Sequence, residues 1–235
     1  MTLYRKKLQQ QNQINTQNQS ENKEVNYKNN DIFVYTVNIG NYDQPRTDAT
    51  PVIDERTPER FTLQQFESRF PKICFQHFIP EKTEIVIYTD SNIYLKKTPE
   101  QIAEIYLGNS DLAIFKHPYR NCLYKEIECV IQTERLQNPY LQRKIRIQKE
   151  NYKKLGMPEN FGLWENNFII RRNTSKVIDF MNMWFIELLK FQWRDQVSFP
   201  FVLWNFLKQN PNFKFKTIID DNIRNNQNFS YINHY

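Results

Sequence analysis

"IVIYTDSNIYL", residues Ile85 to Leu95, decides how this chain is read. Four residues suited to a buried strand, Ile85 to Tyr88, run into the polar triplet Asp90-Ser91-Asn92, and the apolar pattern then resumes. A strand that ends on a carboxylate is either turning a corner or presenting a ligand. In the first reading Asp90 caps a turn and Asn92 bonds its own backbone. In the second, two oxygen ligands two residues apart hold a divalent cation from one side.

Similar runs lie on either side. "DIFVYTV" (31–37) closes on the turn signal Asn38-Ile39-Gly40-Asn41. "KICFQHF" (72–78) reads as a second strand, "DLAIFKH" (111–117) as a fourth, "NNFIIRR" (166–172) as a fifth and "FKFKTII" (213–219) as the last. Between them the spacing turns helical. "RFTLQQFESRF" (60–70) repeats Phe at helical intervals, and "TPEQIAEIYLG" offers Thr98 as N-cap, Pro99 in the first turn and Gly108 as terminator. Further helices are expected over 121–136, 139–154, 174–191 and 196–210, the last kinked at Pro200, and a loop over 44–59. Strands alternating with helices predict an α/β sandwich with a mostly parallel central sheet flanked by helices. In such sheets ligands gather at the carboxyl ends of the strands.

The chain has 235 residues, the size of one domain, and its 18 Phe, 13 Tyr and 4 Trp suffice for a large core. Residues 1–30 hold 13 Asn or Gln and no apolar periodicity, so they are expected to be a disordered tail before a single domain over 31–235. That tail supplies +3 of the net charge of +6, and the remaining Lys and Arg are interspersed with acids, which argues against a polynucleotide partner. No apolar run is long enough to span a bilayer, and no secretory leader is evident at the N-terminus. Three cysteines without CxxC spacing suggest reduced thiols and a cytoplasmic setting.

The four glycines cannot compose GxGxxG or GxxxxGK[ST], and neither GxSxG nor HExxH occurs. Dinucleotide, P-loop, nucleophile-elbow and zincin chemistries are thereby set aside. The groups that remain are oxygen-rich. Lys116, His117 and Arg120 follow a strand, as a phosphate site or as a solvated loop. Glu165 precedes another strand, as a functional acid or a cap. Arg194, Asp195 and Gln196 stand at a helix boundary, where Asp195 is a base or an N-cap.

The ordered series "VYTVNIGNYD", "CFQHF", "YTDSNI", "DLAIFKHPYRNCLYKE", "GLWENNFIIRR" and "RDQVSFPFVLW" resembles the glycosyltransferase-like domain of the plant mucilage-related and turgor-regulation proteins. The resemblance runs over most of residues 31–205. It implies a GT-A type glycosyltransferase that moves a sugar from a nucleoside-diphosphate sugar, a UDP-sugar above all, to a hydroxyl acceptor such as a glycan. By that carry-over Tyr35, Thr36, Asn38, Tyr42 and Asp43, with Asp90 and Ser91, would bind the donor. A Mn²⁺ or Mg²⁺ ion would sit on the DxD-like Asp90-Ser91-Asn92, with His234 as a further ligand. Asn92 replaces the usual second aspartate and is a weaker, neutral donor. Asp195 is the first choice for the general base and Glu165 the second, a base being needed only if the anomeric centre inverts. Lys116, His117, Arg120 and Gln196 would meet diphosphate or an acidic acceptor, and Arg194 would orient Asp195. Two other readings stand beside this one, a catalytically silent sugar-nucleotide-binding module and a ceramidase-like hydrolase.

Overall fold

The computed structural model describes residues 32–37, 48–51, 68–132, 138–191, 194–220 and 222–232. Six strands form the central sheet: β1 (Ile32–Thr36), β2 (Thr50–Pro51), β3 (Ile85–Thr89), β5 (Leu112–Lys116), β6 (Trp164–Arg172) and β7 (Phe215–Ile218). Their spatial order is β2-β1-β3-β6-β5-β7. Only β6 runs against the others, pairing antiparallel with both β3 and β5. The expected α/β sandwich with a mostly parallel sheet is therefore present. A second, two-stranded sheet pairs β4 (Ile93–Leu95) with β8 (Phe229–Tyr231), and the sequence offered no sign of it.

Strand residues alternate between two cores, as the period of two requires. Val86, Tyr88, Leu112, Ile114 and Ile169 face one cluster, and Ile87, Ala113, Phe115, Phe168 and Ile170 face the other. The first is covered by α3 (Leu123–Gln132), α4 (Pro139–Lys154), α5 (Ser175–Lys190) and α6 (Asp195–Gln209). The second is covered by α2 (Pro99–Ile102), which continues as a π-helical turn over Ala103–Leu107. There Tyr106, Phe115, Phe168 and Phe229 each touch the other three, with centroids 5.1 to 5.9 Å apart and mostly edge-on.

Helix punctuation follows the sequence where it was strongest. Thr98 Oγ1 accepts the Gln101 N–H, the Gln101 side chain accepts the Thr98 N–H, and Gly108 ends the turn at φ 55°. Thr174 Oγ1 caps α5 by accepting the Val177 N–H, without a reciprocal bond. α6 runs unbroken through Pro200.

Two expectations are corrected, the first being the loop over 44–59, of which Thr50 and Pro51 form β2 beside β1. "KICFQHF" is not a strand: residues 68–73 are helical (α1), and Phe75–His77 form a 3₁₀ turn. The Cys74 N–H closes on the Phe70 carbonyl at 2.7 Å, so Phe70, Ile73 and Cys74 pack at helical spacing. A run of apolar residues this short satisfies either period, and here packing selects the helix.

α1 is tied to the sheet by a buried charge. Arg171 on β6 is fully buried, donates to the Tyr35 hydroxyl at 2.5 Å and lies over the Phe75 ring at 4.1 Å. The Tyr35 hydroxyl in turn donates to the carbonyls of Pro71 and Lys72 at 2.9 and 3.1 Å. Burial pushes this phenol up to about 12, so it stays a neutral donor. Tyr35→Phe leaves a core guanidinium without this acceptor. We predict a loss of about 2–3 kcal/mol in urea denaturation. A change below about 0.5 kcal/mol would mean that Tyr35 does not anchor Arg171.

Candidate active site at the carboxyl ends of the strands

The carboxyl ends of β3 and β5 and the start of β6 open on one cleft of about 450 Å³. Asp90 follows β3, His117 follows β5, and Glu165, Asn166 and Asn167 belong to the first turn of chain in β6. Lys72 and Arg69 enter from α1, Asp195 and Gln196 from the start of α6, and Arg224 from the 3₁₀ turn Ile223–Asn225. Among the described residues the lining carries five cationic side chains (Arg69, Lys72, Arg120, Arg194, Arg224) against the carboxylates of Asp90, Glu126, Glu165 and Asp195.

The buried Lys72 ammonium is the hinge of this charge pattern. It stands 2.7 Å from Asp195 Oδ2 and 3.8 Å from Asp90 Oδ1, and Arg69 Nε approaches Asp195 at 3.7 Å. Burial alone would raise the Asp195 carboxyl, but Lys72 and then Arg69 outweigh it and hold the group down at about 2. Its other oxygen accepts the Gln196 N–H at 2.9 Å. Asp90, with 41% of its side chain exposed, accepts a hydrogen bond from Tyr88 at 2.7 Å. Glu126, almost fully buried, clamps two arginines: Arg120 Nε donates to it at 2.6 Å and Arg194 at 3.3 Å. Glu165 Oε1 accepts from Arg224 at 2.7 Å.

His117 is buried and held neutral. The backbone N–H groups of Tyr119 and Arg120 both donate to Nδ1, at 3.2 and 3.1 Å, which leaves the ring proton on Nε2. Burial pushes this imidazole down to about 4; Glu126 opposes the shift, and Arg120, Arg224 and Arg194 reinforce it.

The structure sorts the expected site residues. Asp90, His117, Arg120, Glu165, Arg194, Asp195 and Gln196 come together in the cleft. Tyr35 and Thr36 do not reach it: both are buried, and the Tyr35 hydroxyl is spent on Arg171 and α1. Lys116 is exposed and lies outside the lining. Ser91 and Asn92 are buried beneath the turn, in which the Ile93 N–H donates to the Asp90 carbonyl and the Ile232 N–H to that of Asn92. Arg194 donates to Glu126 at 3.3 Å. Asn38, Tyr42, Asp43 and His234 lie outside the described residues, as do residues 1–30.

Of the three expected metal ligands, Asp90 alone is seen in the cleft. Among the described residues no group of three His, Cys, Asp or Glu side chains is placed to hold an ion. This donor set, one carboxylate with an ammonium 3.8 Å away, does not by itself fit a divalent cation. Seven cleft residues were missed in the sequence: Arg69, Lys72, Tyr119, Glu126, Asn166, Asn167 and Arg224. For Lys72 and Arg69 the signal is a spacing of three on one helix, hidden because the expected helix stops at Phe70 and Lys72 is read into a strand.

The family of TOD1/MUCI70 glycosyltransferase-like domains matches residues 58–231. This chain belongs to that family. No curated protein matches it. Among solved structures it is similar to apo mouse xyloside xylosyltransferase 1, at 12% identity and a TM-score of 0.35, over 64% of this chain and 50% of that one. It is also similar to the apo WbbM bifunctional glycosyltransferase, at 12% identity and a TM-score of 0.45, over 80% of this chain and 38% of that one. The chain thus spans half or less of the length of either. Among the described residues no helix is long and apolar enough to cross a membrane.

The two perturbed groups set a pH dependence. Unfolding returns His117 to about 6.5, so stability falls as the pH drops from there toward about 4. Asp195, at about 2 folded against 3.8 in the open chain, adds a further loss as the pH drops from 3.8 toward 2. We predict that the His117 ring signals in an NMR titration stay constant between about pH 8 and about pH 5.5. A midpoint near 6.5 would disprove the neutral, buried ring.

Proposed function

We propose that this protein transfers a sugar from a nucleoside-diphosphate sugar, a UDP-sugar in the first instance, to a hydroxyl acceptor such as a glycan. The observation that carries the reading is the cleft at the strand ends, in which cationic side chains are held in place by buried acids. A departing diphosphate gathers negative charge, and preorganised cations stabilise it at the moment it forms. Lys72, Arg69, Arg120 and Arg194 supply that charge, and Asp195 and Glu126 fix two of them each.

The acceptor side falls to Glu165 in preference to Asp195. A carboxylate held at about 2 by an ammonium 2.7 Å away is a poor base for a hydroxyl proton. Glu165 keeps Oε2 free of any hydrogen bond while Arg224 holds Oε1. In an inverting transfer Oε2 takes the acceptor proton; in a retaining one it holds that hydroxyl by a hydrogen bond. His117, neutral with its proton on Nε2, is a donor to an anionic oxygen. A Mn²⁺ or Mg²⁺ ion accompanying the donor would meet Asp90 and take its other ligands from outside the described residues.

Two variants test the reading by transfer or donor hydrolysis. Asp90→Ala is expected to abolish turnover, and Lys72→Met to lower kcat/KM by roughly 10²–10³, with the far-ultraviolet circular dichroism of Asp90→Ala unchanged. Turnover retained in either would overturn its assignment. Calorimetric titration with nucleotide sugars, with and without Mn²⁺, locates the ion: a Mn²⁺-dependent gain in affinity that Asp90→Ala removes puts it on Asp90.

A further inference from the structure

Three consecutive residues that line the cleft carry polar atoms that the chain leaves without partners. Glu165 Oε2, both atoms of the Asn166 carboxamide and Asn167 Oδ1 are buried and make no hydrogen bond. Asn166 is 5% exposed. Native proteins pair nearly all such groups, so four in three consecutive residues call for a partner from outside the chain.

The backbone explains why they cluster. Along β5 the partner of Ile114 is Ile169, and the partner of the next residue, Phe115, is Glu165. The residues between them on β6 are bulged out of the β5 ladder, while the Asn167 carbonyl accepts the Asp90 N–H at 2.8 Å. Bulges re-aim side chains and recur beside active sites. All three residues line the cleft.

We infer that Glu165, Asn166 and Asn167, where the bulge begins, form a subsite for a ring bearing adjacent hydroxyls, an inference that rests on the transferase reading above. The unpaired atoms are three acceptors and one amide donor. A hydroxyl both donates and accepts, so neighbouring ring hydroxyls satisfy all of them. A phosphate only accepts and would face the Glu165 carboxylate, which assigns it to the cationic side of the cleft. The ring belongs either to the donor or to the acceptor, and the arms of the experiment separate the two.

The experiment compares the full chain with Asn166→Leu, which keeps the volume and removes the hydrogen bonding. Affinities are measured for UDP, UDP-glucose, UDP-galactose and UDP-xylose. The Asn166 side-chain NH₂ resonance is followed during titration with millimolar glucose, galactose and xylose. At least one sugar-bearing ligand should shift that resonance and bind Asn166→Leu at least about tenfold more weakly, with UDP changed less than about twofold. The melting temperature of Asn166→Leu should match or exceed that of the parent, because no hydrogen bond is lost. A lower melting temperature with unchanged sugar binding makes the amide structural and overturns the inference, as does an equal loss for UDP and UDP-sugars. If UDP binds and no saccharide moves the resonance, the subsite falls and the donor reading stands. If free saccharides move it while no nucleotide binds, the subsite stands and the donor reading falls.

Discussion

A single ammonium, Lys72 Nζ, governs the arrangement of the cleft. With 5% of its side chain exposed, it must be compensated where it stands, and Asp195 at 2.7 Å and Asp90 at 3.8 Å do so. Those three residues come from α1, the start of α6 and the end of β3, so the trio fixes two helices against the end of a central strand. Its own backbone carbonyl is held by Tyr35, and Tyr35 by Arg171. One chain of hydrogen bonds therefore runs from the C-terminal end of β6 through the core to the cleft. Core and site are not separable here: the groups that order the sheet also place the cation.

The same logic repeats around the rim. Glu126 holds Arg120 and Arg194, and Glu165 holds Arg224. Glu126 gives up both oxygens to orient two guanidinium groups that line the cleft. Such a surface is organised before an anion arrives, so little reorganisation is left for the moment of charge development. Glu165 differs from the other two acids, because one of its oxygens stays uncommitted.

The sequence was legible where a pattern depends on one segment. β3 and β5 are runs of four or five apolar residues with turn signals after them, and α2 carries its own caps, so both kinds of element stood out. Asp90, His117, Glu165 and Asp195 could be singled out because each follows or opens such an element. What escaped depends on pairing between distant segments. The side chains of Asn166 and Asn167 become notable only when β6 slips against β5, and no local spacing reports that register. Arg224 lies beyond the last recognised strand and is significant only because it meets Glu165, 59 residues earlier. Tyr35 misled for the opposite reason. A tyrosine at a strand end suits a nucleotide, but its phenol is claimed by a buried arginine that no pattern foretells.

The small sheet formed by β4 and β8 bears on how this chain reaches its working state. Ile93 pairs with Tyr231 across 138 residues, and the Ile232 N–H bonds the Asn92 carbonyl within the turn that carries Asp90. Closing a contact of that sequence separation costs chain entropy that the folded state must offset. A chain with β8 undocked lacks the Ile232 brace on the Asn92 carbonyl, in the turn that carries Asp90. The acidic turn at the end of β3 thus depends on β8 for its footing, and damage to β8 far along the chain reaches the cleft through it.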